Sequence, residues 1–168
     1  MQGPLLGLRV LDCGRWWAAP ASARILADLG ASVIKIEQPN HPDPLRGLIT
    51  PATITHAKEG KYTDAIVPNS VFEICNCGKR SFSLDVSKEN GRRILYQLIE
   101  KVDVIVHNWS REQVNELELD FDTLTKYNHR LIYTVVSGWG PVGPEVDRPA
   151  MDMAGLARGG DDVPLGKS

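Results

Sequence analysis

Nowhere does the chain carry an apolar run approaching the roughly 20 residues that cross a bilayer. Its first residues hold neither the charged start nor the hydrophobic stretch of a secretory signal, so a cytoplasmic protein that does not engage a membrane is expected. Charge of one sign is missing too. Lys and Arg number 19 against 21 Asp and Glu, a formal net charge of -2, and no segment is a basic stripe, which removes nucleic acid as a main partner. Cysteine is scarce, at three in 168 residues. Cys75 and Cys77 stand too close for ordinary disulfide geometry or a zinc knuckle, and Cys13 takes an apolar strand-end position, so all three read as packing residues. His41, His56, His107 and His129 are scattered without ligand spacing, and no metal site is expected.

What is present reads as one domain with a real core: 42% hydrophobic and 24% charged residues in 168 is ordinary for a globular α/β protein. Residues 8–37 read strand, helix, strand. Leu8, Val10 and Leu11 form a short apolar run, Pro20 suits a first helical turn, and Ile25, Leu26 and Leu29 recur at helical spacing before Gly30 stops the helix. Ala31 to Glu37 is the second strand. Between them lies the loop Gly14-Arg15-Trp16-Trp17-Ala18-Ala19-Pro20. A strand running directly into a helix turns its loop toward unpaired N–H groups, where α/β proteins hold phosphates and other anions. Gly14 stands alone there, so the three-glycine fingerprint of dinucleotide sites is lacking, and neither NAD nor a flavin is expected.

The pattern then breaks. Residues 38–70 hold five prolines, two glycines and no sustained periodicity, and read as a long irregular connection with room for one short helix. Order returns at Val71. Ser81 to Val86 alternates as a half-buried strand after the turn Asn76 to Arg80, and Ser87 is placed to cap a helix with Ile94, Leu95, Leu98 and Ile99 as its buried stripe. Asp103 to His107 is a strand, Ser110 starts a helix reaching about Leu117, Phe121 to Tyr127 is a further short helix, and Leu131 to Val136 is the last strand. Such alternation predicts a doubly wound, mostly parallel, Rossmann-like sheet.

The motifs LRVLDCGRWWAAPASARILADLGASVIKIEQP, NCGKRSFSLDV, DVIVHNW, NHRLIYTVVSGWGPVGP and DRPAMD, in that order, resemble the N-terminal part of the family III CoA-transferases. That group includes formyl-CoA and carnitine CoA-transferases and α-methylacyl-CoA racemases. The likeness runs from residue 4 to about 155, so a Rossmann-like domain over 1–155 and a tail over 156–168 are expected. It implies coenzyme A or an acyl-CoA as ligand, and an interlocked homodimer. Family members run to more than twice this length and add a second domain. A homo-oligomer, or a complementary C-terminal chain, is therefore expected to cover apolar surface left bare.

By the same resemblance the loop contacts CoA through Arg15, Trp16, Trp17 and Ala18, the third strand's end through Leu84, Asp85, Val86 and Ser87, and the fourth strand's end through Asn108 and Trp109. Each has a plainer reading. Trp16 and Trp17 serve equally as core or interface anchors, Asn108 as a partner for local backbone, Lys79 and Arg80 as a solvated turn, and Arg15 and Arg46 as single surface cations. Residues 138–143 are what any tight turn needs, or a fold over an acyl group.

Departures bear on the chemistry. Gln38 stands where many family members place an arginine, and Glu116 where another basic residue falls. A carboxylate in place of a cation reverses a Coulomb term worth roughly 1 kcal/mol or more at a partly exposed contact. Met151 occupies the position of the racemases' catalytic histidine and moves no proton, which excludes that acid-base route. The transferases' nucleophilic aspartate lies in a Gly-Asp segment beyond Asp152. Asp161 and Asp162 come too soon to match it, and Asp152 reads as a structural carboxylate. No catalytic residue is expected within the chain.

Overall fold

The computed structural model describes residues 3–46 and 70–159. The chain divides into two compact units, residues 1–135 and 136–168. Most of the expected irregular connection, and Asp161 and Asp162, lie outside the described residues.

In the first unit the strands are β1 (Arg9–Asp12), β2 (Ser32–Glu37), β3 (Arg80–Ser83), β4 (Val104–His107) and β5 (Ile132–Val135). All pair in parallel, in the order β3-β2-β1-β4-β5. The helices between them are α1 (Ala18–Asp28), α2 (Ser70–Asn76), α3 (Glu89–Ile99), α4 (Arg111–Glu116) and α5 (Phe121–Leu124). This is the expected Rossmann-like, doubly wound sheet. Its strand order reverses between β1 and β4, the point where an open α/β sheet forms a crevice at its carboxyl edge.

Alternation along the strands sorts the core. Leu11 and Ile105 join Leu95, Ile99, Leu119 and Leu124 on one face. The opposite face buries Val10 and Val33 with Ala19 and Ala23, small residues that let α1 lie close to the sheet. The apolar periodicity of α1 therefore points to the wrong side: Ile25 is 59% and Leu29 41% exposed. Gly30, at φ 99°, ends the helix as expected.

The third strand is shorter than its pattern. Only Arg80–Ser83 pair with β2, and all four are exposed on this edge. The short helix α2 carries no periodic signal over its seven residues, and it packs on α1 and on a 3-10 turn at Pro44–Arg46. Ser87 does not cap α3. The N-cap is Lys88, without a side-chain bond, and the Ser87 hydroxyl turns back to Asp85 instead. Within α3 Leu95 and Ile99 are fully buried, while Ile94 is exposed. Ser110 does start α4, through a full capping box with Gln113.

The second unit, described over residues 136–159, holds the helix α6 (Asp152–Gly159). Glu145 receives both Arg148 and Arg158, and the Arg158 guanidinium lies 5.2 Å from the centre of the Trp139 ring. Asp152 opens the helix, where a carboxylate suits the positive end of the helix dipole.

Candidate functional site

Between the ends of β1 and β4 one side chain ties two loops together. Asn108, just past β4, accepts the Arg15 amide on Oδ1 at 2.9 Å and donates Nδ2 to the Arg15 carbonyl at 2.8 Å. Its amide group thus ties the loop after β1 to the end of β4, which spends it on backbone. Arg15 sends one guanidinium nitrogen to the Pro42 carbonyl at 3.3 Å, and its buried Nε has no hydrogen-bond partner.

The next two residues face outward. Trp16 is 40% and Trp17 51% exposed, so neither anchors this chain's core. Trp16 has φ 65°, a left-handed conformation costing a bulky residue of order 1–3 kcal/mol. Trp109 behaves differently. It is half-buried and stacks on His107 at 4.8 Å, with its amide donating to His107 Nδ1 at 3.3 Å. His107 is fully buried, also meets Tyr133 edge-on at 4.9 Å, and leaves Nε2 without a partner. Burial pulls its pKa down to about 4, so the ring is neutral at pH 7. The same burial pushes the Tyr133 phenol up to about 12.

Beneath the loop lies a chain of buried charges. Asp12 and Lys35 are opposite each other in the β1–β2 ladder, with side chains directed to the α1 face. Lys35 Nζ sits 3.0 Å from Asp43 Oδ2 and 3.8 Å from Asp12 Oδ2, and Lys79 Nζ lies 2.7 Å from that same Asp12 oxygen. All four side chains are almost inaccessible to water. The ladder is electrically balanced, two acids against two bases, as buried charge requires. Lys79 therefore neither grips a phosphate nor lies in solvent. It donates to the Pro20 carbonyl and to Asn76 Oδ1 as well, and burial holds its pKa below the usual lysine value. Arg46 is not a single cation either. It makes a bidentate pair with Glu37, at 2.9 and 2.6 Å, and lies over the Phe72 ring.

The third strand's end stands apart from the other two segments, on the far side of β2. Leu84 and Val86 belong to the core, so their side chains are turned away from solvent. Asp85 closes a turn by accepting the Ser87 amide at 3.0 Å and hydroxyl at 2.6 Å, and Gln38 Nε2 approaches it at 3.4 Å. These bonds to Ser87 lower the Asp85 pKa. The structure thus ties Arg15 to Asn108 through the bridge, and sets Leu84 to Ser87 along the same edge, with Leu84 and Val86 in the core cluster on which Trp109 also packs.

A profile of CoA-transferase family III matches residues 5–161. The chain belongs to CoA-transferase family III. Among its relatives, the cinnamoyl-CoA:phenyllactate CoA-transferase of Clostridium sporogenes is 34% identical over 155 residues, covering 92% of this chain and 35% of that protein. The formyl-CoA:oxalate CoA-transferase of Streptomyces avermitilis is 32% identical over 160 residues, covering 95% and 36%. A crystal structure of a CaiB/BaiF family protein from Brucella suis superposes with a TM-score of 0.82 at 32% identity, covering 95% of this chain and 40% of that one. This family III chain thus spans 35–40% of the length of these proteins.

Sequence reasoning passes over the residues that hold this family III edge in shape. Asp12 and Lys35 carry a readable signal, since a charge on the inward side of a buried parallel strand needs a partner. Asp43 sits between two prolines with no pattern around it. Gly91 is equally silent in sequence, yet a Cβ there would come within 1.9 Å of the Asp85 carbonyl oxygen. Among the described residues no helix is long and apolar enough to cross a membrane, and no group of three His, Cys, Asp or Glu is placed to hold a metal.

Proposed function

We propose that this chain contributes the coenzyme-holding part of a CoA-transferase, which moves CoA between an acyl-CoA thioester and a free carboxylic acid. The observation that carries the reading is the strand-order reversal at β1 and β4, where the Arg15–Asn108 bridge ties the two strand-end loops beside two exposed indoles. Free N–H groups at the start of α1 suit the pyrophosphate, and a Trp16 or Trp17 face suits adenine. The attacking carboxylate belongs, by family likeness, to a Gly-Asp segment beyond Asp152, so turnover requires a polypeptide that carries it. A cytoplasmic homodimer completes the reading, and light scattering at micromolar concentration tests it: a clean monomer removes the dimer.

One feature favours a second reading, a module that keeps the fold without the ligand. Gln38 points to Asp85, and Arg46 and Lys79 are consumed in ion pairs, which leaves three positions on this edge without a free cation. Calorimetric titration with coenzyme A, against NAD as control, separates the two. Saturable CoA binding, weakened by Trp17→Ala or Asn108→Ala, supports the coenzyme-holding part. No heat at millimolar CoA from folded protein leaves the module.

A further inference from the structure

A tryptophan in a left-handed conformation persists only where its surroundings over-determine it. Here the Trp16 amide donates to Asp43 Oδ1 at 3.0 Å, and the same oxygen accepts the Leu45 amide at 3.1 Å, which fixes the carboxylate. The other oxygen faces Lys35 Nζ at 3.0 Å, and Lys35 in turn donates to the Gly14 carbonyl at 2.8 Å. A single buried ion pair therefore grips the loop twice, its cation at Gly14 and its anion at Trp16. Without that grip an exposed indole gains by folding down onto apolar surface.

We propose that Asp43, oriented by Lys35, is a positioning residue for the ligand of this edge. It locks Trp16 in the left-handed conformation and so keeps the adjacent indoles turned outward as a preformed face for a flat heteroaromatic group such as a purine. Preorganising the loop removes an ordering cost that binding would otherwise carry. The ligand's identity rests on the coenzyme A reading; the hold on the loop rests on the geometry alone.

Asp43→Ala by itself strands the Lys35 charge in the interior and threatens the fold, so the informative variant is Lys35→Met with Asp43→Ala, which removes both charges together. Lys35→Met with Asp43→Asn removes the same two charges but keeps an oxygen for the Trp16 amide, and serves as the control pair. Amide hydrogen exchange by NMR and calorimetric titration with coenzyme A are the readouts. In the double variant the Trp16 amide exchanges about tenfold faster while those of Val10 and Leu11 stay within about twofold, and CoA affinity falls about tenfold. The control pair stays within about twofold of the wild-type chain in both. Unchanged Trp16 exchange in the double variant overturns the proposal, as does faster exchange with unchanged CoA affinity, or a control pair as loose as the double variant. Should the wild-type chain take up no CoA, the coenzyme reading fails and the exchange rates alone decide: tenfold faster upholds the hold, unchanged overturns it.

Discussion

The loop after β1 rests on four buried charges drawn from Asp12, Lys35, Asp43 and Lys79, whereas the turn after β3 rests on one aspartate bonded to its own near neighbour and on a glycine that lets α3 approach. The first arrangement joins segments up to 67 residues apart through Lys79 and Asp12, and the second spans two residues from Asp85 to Ser87. Distant, buried charge pairs make the β1 side dependent on the whole fold. On the β3 side only the turn's own side-chain bonds to Ser87 are local, while its strand pairs with β2 and Leu84 and Val86 sit in the shared core. An edge built this way has one loop whose shape fails only with the domain, and one turn whose side-chain bonds are adjustable alone.

The largest test of that contrast is Lys79→Met. Removing one base leaves Asp12 and Asp43 to share Lys35 in the interior, and about 3–5 kcal/mol of stability is lost, read as the shift in urea midpoint. An exposed-pair loss below about 1 kcal/mol would show the ladder to be less essential. Acid comes next. His107 has a folded pKa of about 4 against an ordinary value of 6.5, so between those values the unfolded chain binds the extra proton. The stability contributed by neutral His107 is full above pH 6.5 and declines as pH falls toward 4, by about 3 kcal/mol in all. Chemical denaturation at pH 7 and pH 4 measures it, and His107→Phe flattens that part of the profile.

On the β3 side the effects shrink. Gly91→Ala drives a methyl into the Asp85 carbonyl and costs about 1–3 kcal/mol, with faster exchange at the Ser87 amide and none at Trp16. Coupled change at Trp16 would break the independence of the loop and the turn. Ser87→Ala removes one exposed hydroxyl bond and costs about 0.5 kcal/mol, seen as a small drop in melting temperature.

The sheet was readable because β1, β2, β4 and β5 are largely apolar runs and several helices carry a stop or a cap, as at Gly30 and Ser110. What escaped reading depends on distance and on burial rather than on pattern. Ser87 sits at a cap position and has a capping side chain, but Asp85, two residues earlier, offers its hydroxyl a charged acceptor and wins. Ile25 and Leu29 keep helical spacing, yet the sheet accepts the smaller Ala19 and Ala23, because close helix packing needs small residues. Lys79 reads as a turn lysine in any window around it; only the fold brings Asp12 within 2.7 Å. Within the candidate site, the strand-end positions of Arg15 to Ala18 and of Asn108 were visible, and the side chains that shape the loop were not.

The parallel sheet also sets an order of assembly. β1, α1 and β2 lie close in sequence and join through a short crossover, but the Arg15–Asn108 bridge closes a separation of 93 residues. Long-range pairings of this kind carry the larger loop-closure entropy and form late. The crevice is therefore among the last features to appear as the chain folds, and a ligand that needs both of its sides binds the finished domain and not its partly folded forms. Such a ligand raises the apparent stability of the chain by mass action, and it slows unfolding to the extent that this crevice opens before the strands part.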